Sequence, residues 1–228
     1  MRLAFLGTGS AFSLERYNGA VVVNGHILLD GGAPLLPHMH RLGLDPGNVE
    51  VLFLTHLHGD HVLGLPPFML HRAFVDPRPF VVVGPAGAEA ALERLFELCW
   101  GGEWAAFRLA FGLDYRVAEA AGEVAGVRYE SLPVDHGGMN CRGYRLRVEG
   151  RVLAYAGDTI ASPPLDELVR GADVAITEAT SPSASAVHTA WAEAQALAAR
   201  HPGTHFVFNH VFQGTLADAA SDLTVVDA

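Results

Sequence analysis

The run HLHGDH at residues 56–61 places three histidines and an aspartate within six positions, directly after the apolar stretch VEVLFLT. Imidazole nitrogens and carboxylate oxygens are the ligands that zinc, manganese and iron accept. His56 and His58 are two residues apart, so on an extended exit from a strand they project from one side and can share an ion. Gly59 permits a turn that aims Asp60 and His61 elsewhere. Four ligands so close cannot easily all grip one tetrahedral ion, but they can serve two neighbouring ions. The cluster therefore calls for further ligands at later strand ends. His136 follows LPVD, Asp158 closes LAYAGD, where a carboxylate can bridge two ions, and His210 closes FVFNH.

The chain holds twelve histidines, so each must be argued separately. His26, His38, His40, His71, His201 and His205 have no partner spacing and read as surface residues, with His205 the fallback for His210. Asp30, in LLDGG, reads as a structural carboxylate that orders loops near the metals. Asp135, beside His136, either orients a ligand or faces solvent. GTGSAF (7–12) begins like a dinucleotide-binding glycine motif, but Phe12 stands at the third glycine position, so a strand-end turn is the better reading. Trp100, Trp104 and Phe107 read as packing residues rather than the wall of a substrate pocket.

The elements that must position these groups are short. LAFLG (3–7), VEVLFLT (49–55), PFVVVG (79–84), GVRYESLPV (126–134), DVAIT (173–177) and THFVFNH (204–210) have the apolar, β-branched character of strands. Asn24-Gly25 and Glu149-Gly150 mark hairpins over residues 20–30 and 144–158. Helical patterns fall at 34–42, after Pro66-Pro67, at 87–99 and within 188–200. Strands and helices interleave, yet hairpins join many strands, which predicts an α/β (α+β) fold of two mixed sheets with helices outside them. No linker, low-complexity stretch or short repeat interrupts the 228 residues, so residues 1–228 read as a single domain built from two similar halves. The polar, acidic tail after about 215 is expected to be poorly ordered.

Composition excludes some functions. The formal net charge is −10, with 15 Lys+Arg and not one lysine, so there is no basic face of the kind nucleic-acid binders show. No apolar run approaches the roughly 18 residues needed to span a bilayer, and no membrane association is expected. Glycines at 7 and 9 cut the apolar start too early for a signal peptide. Cys99 and Cys141 lie far apart without metal or redox spacing, as reduced thiols of a cytoplasmic protein would.

THLHGDH, with the later DH, GDT and NH, resembles the metallo-β-lactamase-fold hydrolases. FLGTGSAF…ERYN, LLDGG, VDHGGMNCRGYRL, AYAGDT, ITEAT and HTAWAEAQALA are similar to the ribonuclease Z and cyclic-phosphodiesterase branch. The resemblance covers nearly the whole chain. It implies a four-layer αββα sandwich holding two divalent cations, zinc foremost, with manganese or iron as alternatives. It puts His56, His58 and His136 on one cation, Asp60, His61 and His210 on the other, and Asp158 between them. It further implies that Asp60 holds the attacking water, and that Glu178 and His188 form a pair beside the metals, with His188 aiding the leaving oxygen. Members of this branch are often dimers, which makes a homodimer compatible with the resemblance.

The chain also departs from the ribonuclease Z pattern. Thr177 stands where that group has the histidine of HEAT, and Ala190 where it has the threonine of HST. Only 21 residues separate His136 from Asp158, which leaves no room for an arm that grips transfer RNA. With the acidic charge, this argues against a folded transfer RNA as substrate. The expected activity is a metal-dependent phosphodiesterase acting on small or cyclic phosphodiesters or short RNA. The alternatives are a thioester, lactone or β-lactam hydrolase on the same fold, or a metal-binding protein without turnover.

Overall fold

The computed structural model describes residues 1–102 and 104–228. The first half of the chain supplies strands β1 (Arg2–Gly7), β2 (Ala20–Val23), β3 (Ile27–Leu29), β4 (Val51–Phe53), β5 (Phe80–Gly84) and β6 (Leu113–Val117). The second half supplies β7 (Ala121–Val124), β8 (Val127–Val134), β9 (Cys141–Val148), β10 (Arg151–Tyr155), β11 (Val174–Glu178), β12 (His205–Asn209) and β13 (Thr224–Asp227). They form a seven-stranded sheet ordered β13-β1-β2-β3-β4-β5-β6 and a six-stranded sheet ordered β12-β11-β10-β9-β8-β7. Each sheet is mixed. Hairpins and the pairing of β1 with β13 make the antiparallel parts, while β3-β4-β5-β6 and β10-β11-β12 run parallel.

Alternation along the strands decides the layering. Leu3 and Phe5 of β1 enter the core between the two sheets, while Ala4 and Leu6 face the helices α1 (Leu35–Arg41), α3 (Leu65–Phe74) and α4 (Ala88–Trp100). In β10, Leu153 and Tyr155 fill the same central core, and Ala154 packs with residues of α6 (Pro163–Val169) and α7 (Trp191–Arg200). The result is the expected four-layer αββα sandwich. The remaining helices are α2 (Gly59–Val62), one turn long, and α5 (Trp104–Phe111). Trp104 and Phe107 pack on Phe96 of α4, with ring centroids 4.2 and 5.1 Å apart, as packing residues should.

Two expectations are overturned. The tail after 215 is not loose: β13 pairs antiparallel with β1 from Arg2↔Asp227 to Phe5↔Thr224. Asp222 anchors it, accepting hydrogen bonds from the Thr8 N–H, the Thr8 hydroxyl and the Tyr17 N–H. Polar composition concealed an edge strand whose outer face is wet. His38, read as a surface residue, is buried and bonds through Nδ1 to the Leu6 carbonyl at 2.7 Å. His26, His71 and His201 are half-buried rather than exposed.

Among the described residues, no helix is long and apolar enough to cross a membrane.

Candidate metal centre

The parallel strands and their neighbours deliver side chains to one end of the sandwich. His56 and His58 leave β4, His136 follows β8, Asp158 follows β10, Glu178 ends β11 and His210 follows β12. Helix α2 begins one residue after His58 and turns Asp60 and His61 back towards the same point. Two glycines allow the crowding. A Cβ on Gly157, which also has φ of 62°, would stand 2.6 Å from Thr55 Cβ. A Cβ on Gly32 would overlap the Asp60 carbonyl. His210 and Asp30 themselves adopt left-handed backbone, with φ of 55° and 51°. For residues other than glycine such conformations are strained, and they persist where surrounding contacts enforce them.

All seven side chains expected as ligands converge, in two groups that share Asp158. His56, His58, His136 and Asp158 can each offer one ligand atom, all within 4.8 Å of one another. Asp60, His61, Asp158 and His210 form a second such group. Neighbouring ligand atoms are spaced at 3.1 Å (His56 Nε2 to His58 Nδ1), 3.3 Å (His136 Nε2 to His58 Nδ1) and 3.9 Å (His56 Nε2 to Asp158 Oδ2). On the other side His210 Nε2 lies 3.2 Å from Asp60 and 3.1 Å from Asp158. Bonds of about 2.0–2.1 Å in tetrahedral geometry require ligands roughly 3.3 Å apart, so the spacing fits ions of that size. His61 Nε2 and Asp158 Oδ1 are buried, lie 3.3 Å apart and have no hydrogen-bond partner. Buried polar atoms are rarely left unpaired, and a cation would satisfy both.

The far side of each ring supports the same arrangement. His61 Nδ1 bonds Asp30 at 2.8 Å, and His136 Nδ1 bonds the Val187 carbonyl at 2.7 Å. His56 Nδ1 meets the Thr55 hydroxyl at 3.0 Å, which in turn donates to Asp30. His210 Nδ1 meets the Thr180 hydroxyl at 3.0 Å, which donates to Glu178. In these four histidines Nδ1 faces an oxygen acceptor, which holds the ring with Nε2 turned inward, where its lone pair would be free for a bound cation. His58 is the exception and presents Nδ1. Acceptors of this kind fix ring tautomer and orientation at metal sites. Thr55 and Thr180 were not singled out from the sequence. A threonine beside a histidine or in EAT is a generic loop residue, and only the fold shows what its hydroxyl touches.

Electrostatics separate the two groups. Burial, and then the charge of His61, pushes His56 down to about 2. Burial and the facing imidazoles also lower His58 and His136. Burial alone would lower His61 too, but the Asp158 and Asp30 carboxylates outweigh it and hold its pKa well above the ordinary value. Asp60 shows the opposite balance. Burial would raise it, yet the hydrogen bond from His210 and the charge of His61 bring it down to about 2. Glu178 is fully buried, and burial together with the Asp158 charge drives its pKa well up. His188 Nδ1 lies 3.2 Å from Glu178 and 3.9 Å from Asp158, and the His188 ring lines the cavity above the centre. Asp135 is solvent-exposed; its backbone, rather than its carboxylate, bonds Thr159 and Ile160.

Comparison with known proteins identifies the family and the fold. Ribonuclease BN of Erwinia tasmaniensis is 28% identical over 241 residues, covering 79% of this chain and 77% of that protein. The crystal structure of the short form of human tRNase Z superposes with a TM-score of 0.79 at 24% identity, covering 100% of this chain and 99% of the other. YhfI of Bacillus subtilis, a metallo-β-lactamase-fold protein, superposes with a TM-score of 0.77 at 15% identity, covering 99% of this chain and 98% of the other. The family model of the anti-Pycsar protein Apyc1 matches residues 1–207. The chain belongs to that family, within the ribonuclease Z-like branch of the metallo-β-lactamase-fold, metal-dependent hydrolases.

Proposed function

We propose that this chain is a dinuclear phosphodiesterase that opens a small or cyclic phosphodiester, or cuts a short RNA, by attack of water on phosphorus. The observation that carries this reading is the pair of four-donor groups sharing Asp158 at the floor of a cavity of about 830 Å3. His56, His58 and His136 would hold one cation, Asp60, His61 and His210 the other, with Asp158 between them. A donor set of imidazole and carboxylate, without thiolate, suits zinc first and manganese or iron next. Two divalent cations bound there would lower the pKa of a water and shield the charge that develops on the phosphoryl oxygens.

The protein's own groups do the positioning. Asp60, ionised, accepts a hydrogen bond from the attacking water and aligns it. Glu178 in its acid form donates to His188 Nδ1, which keeps the ring proton on Nε2, from where it is given to the departing oxygen as Nδ1 takes the Glu178 proton. A small substrate is supported by the short connection between His136 and Asp158. Strands β9 and β10 with their tight turn use nearly all of it, so no arm projects to grip a large RNA.

Metal analysis of the purified protein, with turnover of bis(p-nitrophenyl) phosphate, tests this. Two equivalents of divalent metal are expected in the wild type. His58→Ala should lose one and Asp158→Ala both, and turnover should fall by more than about a hundredfold, beyond the loss typical of an outer-shell change. Wild-type metal content and turnover in both variants would end the reading. A protein inert on the diester but active on a thioester would replace it with the thioester and lactone alternative.

A further inference from the structure

The cavity over the centre has an unusual lining for a site that handles phosphate. Among the described residues no arginine reaches it, and the chain has no lysine. Beyond the ligands and a few hydroxyl and amide groups its walls are apolar, with Phe12, Leu63, Met139, Val187 and Phe212 contributing. Two of these are held open to solvent. Phe12, in the loop after β1, is 78% exposed, and Leu63, at the end of α2, is 58% exposed. Neither packs into any of the three cores. What sets these two apart from the other exposed apolar side chains of the protein is their place at the mouth of an apolar-walled cavity with polar donors on its floor, the build of a small-molecule site.

The backbone behind these residues is firm. The Phe12 loop is pinned by Gly9 N–H to the Tyr17 carbonyl, Ser10 N–H to the Val211 carbonyl and Asn18 Nδ2 to the Ser10 carbonyl. Leu63 N–H bonds the Gly59 carbonyl, four residues back and next to Asp60. The apolar surface is thus fixed relative to the metal ligands. The departure of GTGSAF from a glycine motif is what puts an aromatic ring there.

We propose that Phe12 and Leu63 form an apolar platform that holds the planar group esterified to the scissile phosphate. They thereby select diesters with an aromatic substituent and a single negative charge. This rests on the phosphodiesterase reading above. The substrate's one charge goes to the metal centre, its flat face lies on Phe12, and a second phosphate would find no cationic side chain in the cavity.

The test uses metal-loaded wild type, Phe12→Ala, Phe12→Trp and Leu63→Ala. Both positions are exposed, so the variants should fold and keep wild-type metal content. Stacking on an aromatic ring is worth about tenfold or more in binding. Phe12→Ala should therefore raise KM for bis(p-nitrophenyl) phosphate about tenfold at nearly constant kcat, and Phe12→Trp should restore it. Leu63→Ala should raise KM by a smaller factor. As competitive inhibitors, phenyl phosphate should weaken in Phe12→Ala about as much as the substrate does, while inorganic phosphate should not change. A wild type inert on the diester would remove both this proposal and the reading beneath it. An active wild type overturns the platform alone if Phe12→Ala leaves KM within twofold, lowers kcat instead, or weakens phenyl phosphate and inorganic phosphate alike.

Discussion

Asp30 reaches ligands of both proposed cations without binding either. Its carboxylate accepts hydrogen bonds from His61 Nδ1, from the Thr55 N–H and hydroxyl, and from the Tyr155 hydroxyl at 2.7 Å, all of them buried. Through Thr55 it also orders His56. An asparagine cannot accept all four, because its amide nitrogen is itself a donor. Asp30→Asn should therefore lower metal affinity by about 10- to 100-fold, the usual effect of losing an outer-shell partner, and lower the melting temperature as well. Chelator competition reads the first and thermal unfolding the second; wild-type affinity would refute the role. The contrast with the ligands shows what a sequence displays at this scale. Histidine and aspartate at strand ends are chemically conspicuous, so all seven converging residues could be named beforehand. Their supports are a threonine hydroxyl, a backbone carbonyl and a carboxylate 25 residues from Thr55, contacts that exist only after folding. The burial of His38 was hidden for the same reason, since its partner is the carbonyl of Leu6.

Elements were legible where apolar alternation or a turn signal was strong. β1, β5, β8, β10 and both hairpins fall where the pattern puts them, while the short polar strands β6 and β7 and the helix α6 carry too few periodic positions to be read. Arg72 shows how such weak segments are held. It lies on α3, is fully buried, and donates through Nη1 and Nη2 to the carbonyls of Pro46, Gly47, Val49, Arg78 and Pro79. These residues flank β4 and β5, so one guanidinium ties the entry of the strand that carries His56 to the helix packed over it. A lysine ammonium has three donors and no planar fork, and cannot reach all five. Both Arg72→Lys and Arg72→Met should lose about 3 kcal/mol of stability, because carbonyls are left buried and unpaired. Urea unfolding measures this, and a loss below about 1 kcal/mol in the lysine variant would show that the fork is dispensable.

At the scale of the whole molecule, the two ends of the chain close around the centre. β13 pairs with β1, and Asp222, just before β13, holds Thr8 and Tyr17, the shoulders of the loop that carries Phe12. Arg16 strengthens the clasp by donating to the Thr8 hydroxyl and to the Ala220 carbonyl. Composition could not reveal this, because a wet edge strand and an acidic tail look alike until a partner strand is supplied. The clasp touches none of the proposed metal ligands, which separates its effect from theirs. Asp222→Ala removes three hydrogen bonds to a carboxylate, two of them from backbone N–H groups, and should destabilise the fold by about 2 kcal/mol. It should also leave metal content at the wild-type level and raise KM through a looser Phe12 loop, with kcat nearly constant. Metal analysis, urea unfolding and diester kinetics on one preparation separate the possibilities. Loss of metal would place the clasp in support of the ligands themselves, and an unchanged KM would show that the loop keeps its shape without the tail.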